Sequence, residues 1–205
     1  MKKKIIIIII AFVLLSSILG ILSYLWILKP ISFQAEEVHT RLTDITYDFL
    51  TLEKTDELNL QAFDGKLPSD KYEDYRSVLL IFQMDYRSAF YMEDFQAAVK
   101  SIDTENRKYV LRTGTSGFQE GETTPGNFLK RTVSGLNMDI YVGDLKNQEE
   151  IRERILDIAR HTKIKILYHM QWIGNRETEF IFPEDFTAYS FCNMMTGETY
   201  EQFGF

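Results

Sequence analysis

Three histidines and one cysteine are the side chains best suited to chemistry in this chain: His39, His161, His169 and Cys192. Imidazole and thiolate groups bind zinc, and a cysteine activated by a histidine can act as a nucleophile. The spacing of these residues matches no helical or hairpin metal motif. The sequence therefore predicts no catalytic, cofactor-binding or metal site. We expect His39 in solvent near the membrane, His161 at a helix end and His169 on the less apolar face of a strand.

Adjacent acidic side chains recur along the chain, and two carboxylates can act as acid and base only when the fold brings them together in a cleft. Neighbouring residues on a strand point to opposite faces, so adjacency does not indicate such a site. A calcium loop would need alternating Asp or Asn with a central Gly, and the sequence has none. We interpret four such pairs as solubilising surface charge: Glu73-Asp74, Glu93-Asp94, Glu149-Glu150 and Glu184-Asp185.

The stretch over 113–117 contains two glycines and a serine, residue types found in phosphate-binding loops and nucleophile elbows. It lacks the Gly-Lys-Ser/Thr ending of a phosphate-binding loop. It also fails the Gly-x-Ser-x-Gly pattern of a nucleophile elbow, because Gly117 follows Ser116 directly. We expect this stretch to belong to a flexible loop over 114–127.

Cys192 is the strongest indication of an enzyme. In its size, its membrane anchor and its single cysteine near the end, the chain resembles sortase transpeptidases. That family places a Thr before the nucleophile and an Arg after it, whereas here Tyr189-Ser190-Phe191 precede Cys192 and no arginine follows. The resemblance is therefore limited to size and anchor, and a buried free thiol is the expectation.

The first structural element along the chain is an apolar run. Residues 5–28 carry no charge and follow three lysines at 2–4. As a helix this run spans roughly 36 Å, more than the ~30 Å hydrocarbon core of a bilayer. It is also longer than the apolar core of a cleaved signal peptide, which holds about 7–15 residues. We predict a transmembrane signal-anchor at 5–28, with the lysines favouring a cytoplasmic tail at 1–4 and an extracytoplasmic C-terminal domain.

Composition limits the partners of the remaining chain. All 30 acidic residues and 20 of the 23 basic residues follow the apolar run, so this part carries a net charge of −10. Such a domain repels nucleic acid, which is excluded as a partner. A single cysteine forbids an intramolecular disulfide. The isoleucine-rich run and the lone cysteine favour a bacterial surface protein.

After a juxtamembrane linker at 29–43, residues 44–195 are predicted to form one β-rich globular domain, followed by a loose tail at 196–205. Alternating apolar residues and turn signals predict its strands. A helix is predicted over 147–161, because Asp144 or Asn147 can cap it and acidic and basic residues lie at its opposite ends. The predicted strands are 44–52, 77–86, 108–112, 132–142, 164–172, 179–182 and 186–192.

Two architectures fit these elements. The first is an antiparallel, immunoglobulin-like β-sandwich with one inserted helix, which accounts for strands at both ends of the domain. The second is an α+β ferredoxin-like sheet, which requires a helix at 89–102. We favour the sandwich, while 89–102 fits either an amphipathic helix or an irregular strand.

Three functions are compatible with the sequence. The leading one is a non-catalytic, membrane-anchored module that binds a protein or polymer, or serves as an accessory subunit of a membrane complex. Loops 64–76 and 113–128 are its predicted contact surfaces. The alternatives are a surface hydrolase or transpeptidase-like enzyme, and an immunity-type protein whose acidic surface neutralises a basic toxin.

Eight aromatic residues near the end are expected mainly in the core: Phe180, Phe182, Phe186, Tyr189, Phe191, Tyr200, Phe203 and Phe205.

Overall fold

A computed structural model describes residues 2–23, 30–42, 66–86, 88, 90–118, 130–193 and 198–200. Within these ranges the chain forms an N-terminal apolar helix and a domain composed mainly of strands. A short 3-10 turn precedes the second strand at Tyr72–Asp74. The helices are α1 Lys2–Ser23, α2 Thr104–Arg107 and α3 Gln148–Arg160. The strands are β1 Ile31–Leu42, β2 Tyr75–Tyr86, β3 Met92–Ile102, β4 Val110–Thr113, β5 Thr115–Phe118, β6 Lys130–Tyr141, β7 Thr162–Met170, β8 Gly174–Ile181, β9 Tyr189–Asn193 and β10 Glu198–Tyr200.

From Ile5 onward, helix α1 carries no charge and is apolar around its circumference. Its segment Lys4–Ser23 is long and apolar enough to cross a membrane, and none of it is buried against the rest of the structure. A helix that is hydrophobic on every side needs an apolar environment on every side. This agrees with the span predicted at 5–28, of which 24–28 lie outside the described residues.

The strands form two sheets, an arrangement compatible with a β-sandwich. The first sheet has the order β10-β9-β1-β2-β6-β4 and the second the order β5-β3-β7-β8. All described pairs are antiparallel except β1 with β9, which run parallel. Alternate residues of both sheets, together with one face of α3, meet in a common hydrophobic core.

Aromatic rings join the two sheets inside this core. The Phe82 ring of β2 packs 5.5 Å from that of Phe180 of β8, and Phe33 of β1 stacks on Phe180 at 5.3 Å between ring centroids. Nearer the start of β3, Phe95 lies between Tyr86 at 5.6 Å and Tyr168 at 5.8 Å. Offset and edge contacts of this kind add to the energy of burial.

Strand β1 occupies residues that were predicted to be a linker. A bulge between Ala35 and Glu37 shifts its register against β2. Before the bulge Ile31 and Phe33 contribute to the core, and after it Val38 and Thr40 are the buried residues. A bulge exchanges the two faces of a strand, so a search for strict alternation misses it.

Residues 92–102 form strand β3, which rules out the helix that the ferredoxin-like alternative required. Register shifts against β7 occur between Glu93 and Gln96 and between Val99 and Ser101. Asp94, at the first shift, has a φ of 55°. These irregularities spread the apolar residues to an almost helical spacing, while the backbone remains extended.

The other predicted elements agree in part with the structure. Helix α3 begins after Asn147, whose side chain accepts a hydrogen bond from the Glu150 amide, as expected of an N-cap. Part of the predicted loop is strand β5, and part of the predicted loose tail is strand β10. The strand predicted at 44–52 lies outside the described residues.

The strands of the domain run between two ends. The anchor end holds Ile31, which follows the apolar run and pairs with Tyr86. The short connection from β2 brings the start of β3 to the same end. The opposite end, here called the distal end, holds Ile102, Thr162 and Ile181. From Phe95, whose ring contacts that of Tyr86, the partner of Ile31, strand β3 runs seven residues to Ile102, which is about 23 Å at ~3.3 Å per residue.

Candidate functional site

A cleft of about 630 Å³ opens at the distal end of the domain. Its walls come from the end of β3, the end of α3, the start of β7 and the end of β8. Three carboxylates, two basic side chains and a histidine line it together with apolar side chains. The lining residues are Ser101, Ile102, Asp103, Asp157, Arg160, His161, Lys163, Ile181, Phe182 and Glu184.

Asn106 fixes two of the carboxylates. Its Nδ2 donates to Asp103 Oδ2 at 2.9 Å and to Asp157 Oδ2 at 2.8 Å. Asp103 is also the N-cap of α2, where Oδ1 accepts the amides of Glu105 and Asn106 at 2.9 and 3.0 Å. Burial opposes the charge of Asp103, but these hydrogen bonds outweigh it and lower the pKa of Asp103. Asp103 is therefore held as an anion.

His161 ends helix α3 beside these carboxylates. Its Nδ1 lies 2.9 Å from the carbonyl oxygen of Asp157 and 3.3 Å from Asp157 Oδ1. The hydrogen bond to that carbonyl, reinforced by the charges of Asp157, Asp103 and Glu184, raises the pKa of His161, although partial burial opposes the shift. An imidazolium at a helix C-terminus also interacts favourably with the helix dipole.

The two basic side chains of the cleft already have partners. Arg160 donates from Nε and Nη2 to the carbonyl oxygen of Phe186 at 3.0 and 2.7 Å. Lys163 Nζ lies 3.4 Å from Glu179 Oε2 on the neighbouring strand. Because three carboxylates line the cleft against two cations, its formal charge is −1 when His161 is neutral. Ile181, of which 48 % is exposed, supplies an apolar wall beside them.

The pH dependence of stability tests the geometry of His161. The pKa of His161 is raised above its unfolded value of about 6.5, so its stabilising effect is complete below that pH and disappears as the pH rises through the folded pKa. We expect the urea midpoint of the native chain to exceed that of His161→Gln by more at pH 5.5 than at pH 9. The same difference at both pH values would contradict this arrangement, as would an NMR titration midpoint of His161 at or below 6.5.

A second histidine contact lies in the first sheet. His39 Nδ1 is 2.7 Å from Ser190 Oγ, and the two residues face each other across the parallel pair of β1 and β9. A serine beside a histidine could act as a nucleophile if a third group oriented the ring and a cleft admitted a substrate. Ser190 is only 7 % exposed, and within the described residues no carboxylate contacts His39. We interpret the pair as a bond that joins the strands, and the expected solvation of His39 is only partial.

The remaining predicted residues fall in separate places. His169 contacts Asn175 Oδ1 at 2.9 Å on the second sheet. Cys192 lies in β9 in register with Arg41, and its thiol is outside the described side chains. In the loop at 64–76, Leu67 packs on Tyr75, and residues 119–128 of the other predicted contact loop lie outside the described part. Among the C-terminal aromatic residues, those confirmed in the core are Phe180, Phe182 and Phe186.

The sequence singled out His161 and Glu184 one by one, but it did not indicate that they line a common cleft. Asp103 and Asp157 are far apart in the chain, and only the packing of α2 on α3 places both beside Asn106. A local signal existed, because Asp103 precedes a turn of helix in the manner of an N-cap. Among the described residues no group of three or more potential ligands is arranged to hold a metal ion.

Comparison of the chain with protein-family models, with curated proteins and with solved structures gives no significant match in any of the three.

Proposed function

We propose that this protein is a single-pass membrane module whose domain presents the distal cleft to a cationic partner, a basic protein or an amine-bearing polymer. Residues 5–28 anchor it, the N-terminal lysines stay in the cytoplasm, and the domain lies outside the cell. We further propose that the two sheets form an immunoglobulin-like β-sandwich in which α3 is the inserted helix. In this role the protein binds and does not catalyse.

One observation carries the proposal: the cleft lies at the opposite end of the domain from the anchor. Ile31 follows the apolar run, whereas Asp103, Asp157 and His161 lie beyond the far ends of the strands. A tether of this kind holds the anchor end against the bilayer and turns the cleft toward whatever approaches the surface. This separation supports recognition of a partner that is not embedded in the membrane.

The chemistry of the cleft determines the class of partner. Carboxylate oxygens accept the N–H donors of an ammonium or guanidinium group, forming charge-assisted hydrogen bonds. The exposed side chain of Ile181 and the neighbouring Phe182 can pack against the aliphatic stem of a lysine or arginine. The net charge of −10 in the domain adds long-range attraction for a basic partner.

A labelled decalysine peptide provides a direct probe. The full chain is placed in nanodiscs of zwitterionic phosphatidylcholine, and peptide binding is followed by fluorescence anisotropy. The double variant Asp157→Asn/Glu184→Gln removes two charges from the cleft and retains an acceptor for Asn106. Exposed ion pairs contribute up to about 1 kcal/mol each, so we expect affinity to fall roughly tenfold.

The matched control removes two exposed charges outside the cleft, Glu36→Gln in the middle of β1 and Glu93→Gln at the start of β3. This control has the same net charge as the cleft variant, so it separates a defined site from general attraction. Affinity close to that of the native chain is expected for it. Equal weakening by both double variants would contradict a binding cleft, and so would binding that does not weaken with added salt.

A further inference from the structure

An exposed tryptophan lies at the tip of the hairpin between β7 and β8. Trp172 is 86 % exposed and has a φ of 69°. Bulky side chains rarely occupy this left-handed region, and such strain is found where a function requires it. Residues 170–175 contain no charge. The tip therefore exposes the indole ring to solvent on an uncharged turn.

This tip lies at the anchor end of the domain. The amide of Gln171 donates to the carbonyl oxygen of Tyr91 at 2.8 Å, which ties the tip to the connection between β2 and β3. Met92 is in register with Met170, so β7 reaches its final residue where β3 begins. The hairpin and the start of β1 thus point toward the same side.

The tip also extends beyond the level at which the anchor joins the domain. Tyr86, the partner of Ile31, is connected through the Phe95 ring to Tyr168. From Tyr168 the strand runs about 7 Å further to Met170, at ~3.3 Å per residue, and the turn continues past it. The uncharged run ends three residues before Ile31, a span of at most about 11 Å. The reach of the tip therefore matches the gap between the domain and the bilayer.

We propose that Trp172 inserts into the lipid interface beside the anchor and gives the domain a second attachment to the same membrane. The inference rests on the proposed function, because it requires α1 to cross the bilayer. Indole rings favour the membrane–water interface, where the apolar ring is buried and the N–H remains solvated. Two attachment points fix the tilt of the domain and direct the distal cleft away from the surface.

The chain contains two tryptophans, so each can be made the sole fluorophore. The Trp26→Phe variant reports on Trp172, and the Trp172→Phe variant reports on Trp26 in the anchor. Both full-length variants are reconstituted in phosphatidylcholine vesicles with and without bromine on the acyl chains near the glycerol backbone. Bromine quenches only nearby indoles, so we expect Trp172 to lose about half or more of its emission and to be shielded from aqueous iodide.

The pair of variants separates the two proposals. Quenching of both tryptophans by brominated lipid supports the insertion of Trp172. Quenching of Trp26 with Trp172 unaffected by bromine and open to iodide overturns the insertion and leaves the anchor in place. If neither brominated lipid nor iodide quenches Trp172, the indole lies in a protein contact. This result also overturns the insertion into lipid. If brominated lipid does not quench Trp26, the apolar run does not cross the bilayer. The proposed insertion of Trp172 is then overturned as well.

Discussion

Two arginines in the centre of α1 are expected to release the chain from the membrane. Leu15 and Leu19 lie near the middle of the uncharged run and are exposed on the described helix. Exchanging a leucine for an arginine at the centre of a span raises the insertion free energy by about 3 kcal/mol. Membrane insertion of the double variant Leu15→Arg/Leu19→Arg is therefore less favourable by about 6 kcal/mol. The measurement is the fraction of protein that stays with membranes after alkaline carbonate extraction.

The matched control is Leu15→Ala/Leu19→Ala, which shortens the same side chains without adding charge. It should remain in the membrane fraction, as should the native chain. Extraction of the native chain by carbonate would contradict the anchor, since that result would mean that the apolar run is removed or only adsorbed to the surface. Retention of the double arginine variant would show that something other than α1 holds the domain.

Phe82→Ala is expected to cause the largest loss of stability within the domain. Phe82 is fully buried on β2, and its ring contacts those of Phe33 and Phe180 from the neighbouring strand and the opposite sheet. Removing a buried phenylalanine costs about 3–5 kcal/mol, through lost burial and the cavity that remains. Urea unfolding of the full chain in mild detergent, followed by near-ultraviolet circular dichroism, measures this change.

Val133→Ala provides the control for Phe82→Ala. Val133 lies on β6, is 61 % exposed and is in register with Gln83, the residue that follows Phe82. Its truncation should alter the free energy of unfolding by less than about 0.5 kcal/mol. A loss below about 1 kcal/mol for Phe82→Ala would mean that the two sheets do not pack through this ring cluster, and the arrangement of the core would have to be revised.

The cleft illustrates why a candidate functional site is harder to predict than the strands around it. His161 was placed at a helix end from the local pattern of charges, and the structure confirms that position. Its interaction with Asp103 depends on α2 packing against α3, a contact between segments more than 40 residues apart. Trp172 was predicted inside the strand 164–172, but β7 ends at Met170 and Trp172 is exposed in the turn that follows, because the end of the strand depends on its pairing with β3.

The elements that the sequence determined by itself are those with a local cause. An uncharged run of 24 residues predicts α1 without reference to any other segment. Helix α3 combines its own cap, charges and apolar stripe, and β2, β6 and β7 alternate regularly along their length.

Tertiary structure decided the rest. Strand β1 has a bulge and pairs with β9, so that His39 meets Ser190 from 151 residues away. Strand β3 has irregular spacing that only its partners β5 and β7 hold in an extended form. The distal cleft and the exposed tip at the anchor end likewise depend on which strand ends meet. The physical reason is that a sheet is stabilised by hydrogen bonds and packing between distant segments, whereas a helix satisfies its backbone within one segment.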